Sequence, residues 1–210
     1  MKTLRNLLKC HLSTPQPFVY FMAGSLPGKA ILHLRNLSLF SMVTHLPGNS
    51  LYDRARHIFV TGSHSSKSWF ANIRDICLLY DLPHPLTLLE NPMSKVAFKK
   101  LVKSKVIDYW ENQLREIAAS LSSLVYFKPE FHSLSRPHPI IWTPGPNSHE
   151  VSKAVVQLKM LSGRYRTAML TRHWSSNRSG CFPAPGCSTL ETLEHILVSC
   201  SYYSQTSDVK

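Results

Sequence analysis

Four residues near the end of the chain are of the types that a tetrahedral metal ion prefers. In CFPAPGCSTLETLEHILVSC, residues 181–200, the side chains Cys181, Cys187, His195 and Cys200 are separated by five, seven and four residues. Thiolate sulfur and imidazole nitrogen in a set of four suit Zn2+, which takes tetrahedral N/S coordination. The chain has five cysteines, and the other two, Cys10 and Cys77, stand alone. An odd and sparse count fits a reducing compartment better than a disulfide framework, so an intracellular protein, nuclear or cytoplasmic and not secreted, is expected. Three packed cysteines beside an unrelated histidine are the alternative. The crowding of all four groups into one short stretch favours zinc.

Such a site needs local structure to aim its ligands. Ser188 and Glu191 have the spacing of a capping box, which predicts a helix starting just after Cys187 with His195 facing back toward the Cys187 turn. His195 and Cys200 are five positions apart, about 140° around an ideal helix. Both reach one ion only if the helix ends or distorts by Ser199.

Upstream, helical periodicity dominates, and the fold class expected is mainly α: a helical bundle-like region with a small C-terminal Cys-Cys-His-Cys zinc module. Residues 29–46, KAILHLRNLSLFSMVTHL, are apolar nearly all round and predict a buried helix. Two shorter amphipathic pieces follow, SLYDRARHIFV and SKSWFANIRDICLLYDL, the second placing Cys77 with Ile73, Ile76 and Tyr80 as a core thiol. The longest stripe joins Phe98, Leu101, Val102, Val106, Tyr109, Trp110, Leu114, Ile117 and Leu121, which predicts a helix from Pro92 to about Leu121 with Asn91 as its cap. Residues 122–147 hold five prolines and predict an irregular, partly extended connector. Asn147 and Glu150 then form a capping pair for a helix through about His173, with Val151, Ala154, Val155, Leu158, Leu161, Tyr165 and Met169 on its stripe. The organisation expected is a helical region over 1–121, the connector over 122–147, a helix plus zinc module over 148–200, and a tail over 201–210.

Several function classes are excluded by chemistry. GSLPGKA suggests a phosphate loop, but Gly24 to Gly28 is one residue too short. Ala30 replaces the magnesium-binding hydroxyl, and Pro27 removes an amide that would face phosphate. A proline-glycine turn opening a helix explains the stretch. No G-x-S-x-G elbow is present. No two acidic residues are adjacent, so no Asp-Asp pair exists to hold two metals, and no enzyme activity or small-molecule substrate is expected of this chain. No apolar run approaches the ~20 residues of a membrane span.

The charge is +12, from 24 Lys and Arg against 12 Asp and Glu. That balance points to an anionic partner, here RNA or DNA bound without sequence choice through phosphate contacts. Two basic helix faces carry the candidates: Lys99, Lys100 and Lys103, flanked by Lys95 and Lys105, on one; Lys153, Lys159, Arg164, Arg166 and Arg172 on the other. A solvated face is the alternative for the lysine run. Trp174 and Tyr165 are candidates for base stacking, with core packing the alternative for Tyr165.

ETLEHILVSC resembles the E-T-x-E-H-hydrophobic-L-x-x-C end of the reverse-transcriptase zinc-binding region of non-LTR, LINE-type retrotransposon proteins. The resemblance extends through LSGRYRTAMLTRHW (161–174), SWFANIRDICLLYDLPHPLTLLENP (68–92) and MAGSLPGKAILHLRNLSLF (22–40). It implies a region downstream of a polymerase core, with a helical linker, a zinc module and a role in holding template RNA or target DNA. Two departures stand out. The five-residue gap between Cys181 and Cys187 is wider than the family's usual first pair, and the family's endonuclease and Tyr/Phe-x-Asp-Asp palm motif are absent. The resemblance therefore implies a non-catalytic fragment. The alternatives are a piece of an active reverse transcriptase whose catalytic region lies outside this chain, and a non-functional relic or interaction scaffold.

Overall fold

The computed structural model describes residues 2–61, 68–142, 147–165, 167, 187 and 189–200. Among them the chain is mainly helical, without a strand. In order come α1 (Lys2–Leu7), α2 (Gln16–Ala23), α3 (Gly28–Val43), α4 (Ser50–Thr61), α5 (Trp69–Leu79), α6 (Pro85–Glu90), α7 (Lys95–Ala119), α8 (Pro139–Trp142) and α9 (Ser148–Leu161). Short 3-10 turns lie at Ser122–Leu124 and Pro129–Phe131, and a π-helical turn at His195–Ser199. Two compact units result, one of Tyr20–Ser120 and Pro129–His138, the other of Met1–Val19, Leu121–Lys128 and Pro139–Lys210.

The core of the first unit is built by α3 to α7. Ala30, Leu37 and Phe40 of α3 are fully buried with Ile73 of α5 and Val106 of α7. Phe40, Phe59 and Phe70 form an edge-to-face chain with centroids 5.9 and 6.0 Å apart, an arrangement that suits the ring quadrupoles. Tyr80 ties three helices together: its hydroxyl receives the Trp110 indole N–H at 2.9 Å and lies 2.8 Å from His33 Nδ1. Burial holds His33 below its ordinary pKa, with Lys29 adding to the effect, which suits a neutral ring accepting from the tyrosine. Cys77 is the expected core thiol, and burial pushes its pKa up to about 12.

Three expectations are corrected here. α3 is not buried all round: Ile31, Leu32, Leu39 and Met42 are exposed. α7 starts at Lys95, because the Ser94 hydroxyl accepts the Ala97 amide at 3.3 Å, whereas Asn91 terminates α6. On its stripe Ile117 is 47% exposed while Ala118 is buried, the inward line having drifted by one position over this long helix. After α5 ends and the chain turns at Tyr80 and Asp81, Pro85 opens a separate helix, α6, and the exposed His84 ring accepts the Leu86 amide at 3.2 Å.

The start of α3 is the proline-glycine turn expected, with Pro27 at the cap position. Before it, Gly24 has φ +56°, and a Cβ there would run into the Arg136–Pro137 backbone. That close approach belongs to the segment 129–138, which is held by one carboxylate. Glu111 Oε1 accepts from Ser133 Oγ at 2.8 Å and from the Leu134 amide at 2.9 Å, while Oε2 receives Arg115 at 2.8 Å. Arg115 also donates to the His132 carbonyl at 3.4 Å and lies over the Phe21 ring. The connector is therefore locally organised and not simply extended.

In the second unit Phe18 meets Phe127 edge-to-face at 5.1 Å, and the Arg5 guanidinium donates twice to the Thr14 carbonyl. α9 is capped by Asn147, which accepts the His149 amide at 3.0 Å. It does not run on to His173. It ends before Gly163, whose φ of +64° and whose neighbouring Arg164 amide, bonded back to the Lys159 carbonyl at 2.8 Å, make a glycine C-cap; the Ser123 carbonyl leaves no room for a Cβ there.

Two predictions follow from this packing. Leu114→Ala should cost about 2–5 kcal/mol and Ile117→Ala about 1 kcal/mol or less in urea unfolding, since only the first removes buried methyl groups. The second concerns His132 and His138, whose rings lie 4.8 Å apart. Burial holds both below their ordinary pKa; His138 adds to the effect on His132, and Glu130 opposes it. A histidine depressed in the folded state takes its proton first in the unfolded chain. Stability should be complete above about pH 6.5 and fall as pH drops below it. The fall should be smaller in a His132→Gln/His138→Gln variant, with His33 contributing a background of the same sign.

Candidate metal centre

The candidate ligands His195 and Cys200 are positioned by a short, unusual helical segment. It begins at Leu193, four residues later than the Ser188 cap would place it, and Ser188 itself lies outside the described residues. The effective cap is Thr192, whose Oγ1 accepts the His195 amide at 3.1 Å. From His195 to Ser199 the helix is of the wider π type, and Cys200 then leaves it in an extended conformation, φ −78° and ψ 110°. This is the distortion that the His195–Cys200 spacing demands. A π turn bonds each carbonyl five residues ahead, so positions five apart return to nearly one face.

As a result Cys187, His195 and Cys200 converge, with their ligand atoms all within 4.8 Å of one another. His195 Nε2 lies 3.1 Å from Cys187 Sγ. His195 and Cys200 are buried and Cys187 is half-buried, with buried Leu193 between them in sequence. The donor set fits zinc. Bonds of 2.3 Å to sulfur and about 2.0–2.1 Å to nitrogen place tetrahedral ligand atoms about 3.5–3.8 Å apart, within a few tenths of an ångström to an ångström of what is seen here. A tetrahedral ion takes a fourth donor. Cys181, the thiol offered by the sequence spacing, lies outside the described residues. An ion held this way would supply cross-linking energy to the segment, ~10–16 kcal/mol in small zinc modules.

The candidate nucleic-acid residues are distributed differently from one another. On α7, Lys95, Lys99, Lys100 and Lys103 are exposed, whereas Lys105 donates to Asp81 at 2.7 Å. Lys95, Lys99 and Lys103, at four-residue steps, form a row. Lys100 stands about 100° around from Lys99. On α9, Lys153 and Lys159 are exposed and about 120° apart around the helix. Arg164 is exposed but gives an N–H to the Ser13 carbonyl at 3.0 Å. Arg166, Arg172, Trp174 and Met169 lie outside the described residues, and Tyr165 is half-buried.

Comparison with protein-family models, curated proteins and solved structures finds no match to the chain. No helix among the described residues is long and apolar enough to cross a membrane.

Sequence reasoning overlooked Thr192. Its signal was present as a cap-type residue three positions before His195, but the formal box at Ser188 and Glu191 was the stronger pattern. Because Thr192 fixes the backbone that carries His195, Thr192→Ala should weaken metal binding without removing a ligand. A lost cap costs about 0.5–2 kcal/mol, so the apparent zinc affinity should fall roughly twofold to thirtyfold in a chelator competition. The cobalt-thiolate absorption of the cobalt-loaded protein should keep its shape, as the ligands are unchanged.

Proposed function

We propose that this chain is a non-catalytic, zinc-organised nucleic-acid-binding region of the kind found in non-LTR retrotransposon reverse transcriptases. The observation that supports it most is the convergence of Cys187, His195 and Cys200 through a distorted helical turn, which packing of three unrelated side chains does not require. The resemblance of ETLEHILVSC to the family's zinc-binding end gives the class, and Cys181 completes the ligand set in that reading. The +12 charge gives the partner class, RNA or DNA.

In this reading the zinc is structural. Cys187 and Cys200 bind as thiolates and His195 through Nε2, the nitrogen turned toward the Cys187 sulfur. The ion draws together Cys187 and the helical turn that follows. Phosphate contact falls to Lys100, Lys153, Lys159 and Arg164, with Arg166 and Arg172 joining them from the resemblance and the sequence. Lys99 and Lys103 border an apolar groove and face a different demand. These contacts confer affinity without base choice.

The test is metal content and salt dependence measured on the same preparation. The full chain should carry one zinc, lost in His195→Ala and in Cys200→Ser, while helical circular dichroism from the first unit persists after chelation. Binding to single-stranded RNA should weaken with salt at about −0.7 in log K per log salt for each phosphate neutralised. Lys153→Gln/Lys159→Gln should lower that slope by roughly one to two units. Unchanged metal content in His195→Ala would sink the metal reading, and a flat salt dependence would sink the nucleic-acid reading.

A further inference from the structure

α3 and α7 pack side by side and leave a groove between them, a cavity of about 260 Å³. Its α3 wall is Leu34, Ser38, Ser41 and Met42; its α7 wall is Phe98 and Val102 with Lys95, Lys99 and Lys103 along the rim. Both walls repeat at three- and four-residue intervals, so the groove runs along the helices for about two turns, roughly 12 Å from Leu34 to Met42. Its floor is apolar, with Phe98 and Val102 almost fully buried, and Met42 at its open edge is 57% exposed. Leu39, one turn from Met42, continues the exposed apolar edge at 53%.

The charge on the rim is of one sign. No carboxylate lines the groove, and Lys95, Lys99 and Lys103 form no ion pair among the described residues. The contrast is Lys105, two residues further on the same helix, which is matched by Asp81. Three unmatched lysines at successive helical turns beside an apolar trough combine two demands in one place. An occupant must cover methyl and thioether groups and present negative charge along one edge.

We propose that the α3–α7 groove is a docking site for an acidic amphipathic helix of a partner protein. Such a helix lays apolar side chains at three- and four-residue spacing onto Leu34, Met42, Phe98 and Val102. Its Asp or Glu residues at successive turns meet Lys95, Lys99 and Lys103, since both helices repeat at the same pitch. Nucleic acid fits the surface less well. Phosphate contact would use the lysines but leave the apolar floor uncovered, and Phe98 is too buried to serve as a stacking platform. The rim charge would steer the encounter and set the orientation, with the trough supplying most of the hold. Nothing in this proposal depends on the metal centre, which lies in the other unit.

The experiment uses the full chain and a fluorescent synthetic helix of about fourteen residues, with leucines on one face and glutamates along its edge. Control probes carry serine for the leucines, or glutamine for the glutamates, and a single-stranded RNA serves as a plain polyanion. Anisotropy should show saturable binding of the acidic amphipathic probe and roughly tenfold weaker binding of either peptide control. Met42→Gln, which keeps every charge, should weaken the acidic probe roughly fivefold to tenfold and leave RNA binding unchanged. Lys99→Gln/Lys103→Gln should weaken it about tenfold at low salt. All three positions are exposed, and unchanged thermal melting would confirm that the variants fold. Equal binding of the serine control, an unaffected Met42→Gln variant, or RNA displacing the probe with the same loss in the double lysine variant would make this a phosphate surface and overturn the proposal. Absence of probe binding at about 100 μM would overturn it as well, whatever the RNA and zinc measurements show.

Discussion

An α-helix turns about 100° per residue, so two side chains five positions apart cannot point at one small ion. Everything at the C-terminal site depends on how the backbone meets that constraint. The π turn from His195 to Ser199 widens the helix, and Cys200 then leaves it in extended form. A π turn is a poorer helix than the one it replaces, and isolated examples cluster at functional positions for that reason. Thr192 fixes the entry and buried Leu193 follows it. The distortion is thus built between a side-chain cap and the ligand it serves. A metal ion bound there would hold in place a geometry that local propensity disfavours.

Much of this was legible in the residues, though not all for the right reason. The convergence could be read directly, because Cys187, His195 and Cys200 are of the types that a tetrahedral ion prefers and lie close enough in sequence to meet. The cap could not. Ser188 with Glu191 satisfies the capping-box pattern, yet the helix waits for Thr192, since the pattern describes what a helix start can use and does not decide which start is used. The same degeneracy moved the start of α7 from Asn91 to Ser94. In both cases two cap-type residues lie close together, and contacts elsewhere choose between them.

The larger misses have two causes. The α9 stripe continues past Gly163 into Tyr165 and Met169, and periodicity alone carries the helix onward. What ends it is local: Gly163 takes the left-handed C-cap conformation, and the Arg164 amide closes back on the Lys159 carbonyl at 2.8 Å, a glycine stop that outweighs the stripe. The proline-rich segment from Pro129 to His138 reads as a connector. Its order comes from Glu111, a side chain on another element that accepts from Ser133 and Leu134. Prolines mark where a helix cannot run, but they do not say what will hold the chain that replaces it.

The net charge shows the same limit from another side. A value of +12 describes the chain, while binding is done by particular surfaces. Within α7 alone, Lys105 is matched by Asp81, Lys100 faces away from the groove edge, and Lys95, Lys99 and Lys103 line an apolar trough. Arg164 gives part of its donor capacity to the Ser13 carbonyl. Cations of equal formal charge therefore face different chemistry: a carboxylate, open solvent, a backbone oxygen, or a hydrophobic floor. Phosphate recognition asks only for exposed charge at suitable spacing, and it gains little from a neighbouring methyl group. A helix-binding groove gains from both, because the apolar contact supplies affinity that screening by salt cannot remove. Where charge and exposed apolar surface coincide, the second decides the class of partner, and on this chain they coincide on the rim between α3 and α7.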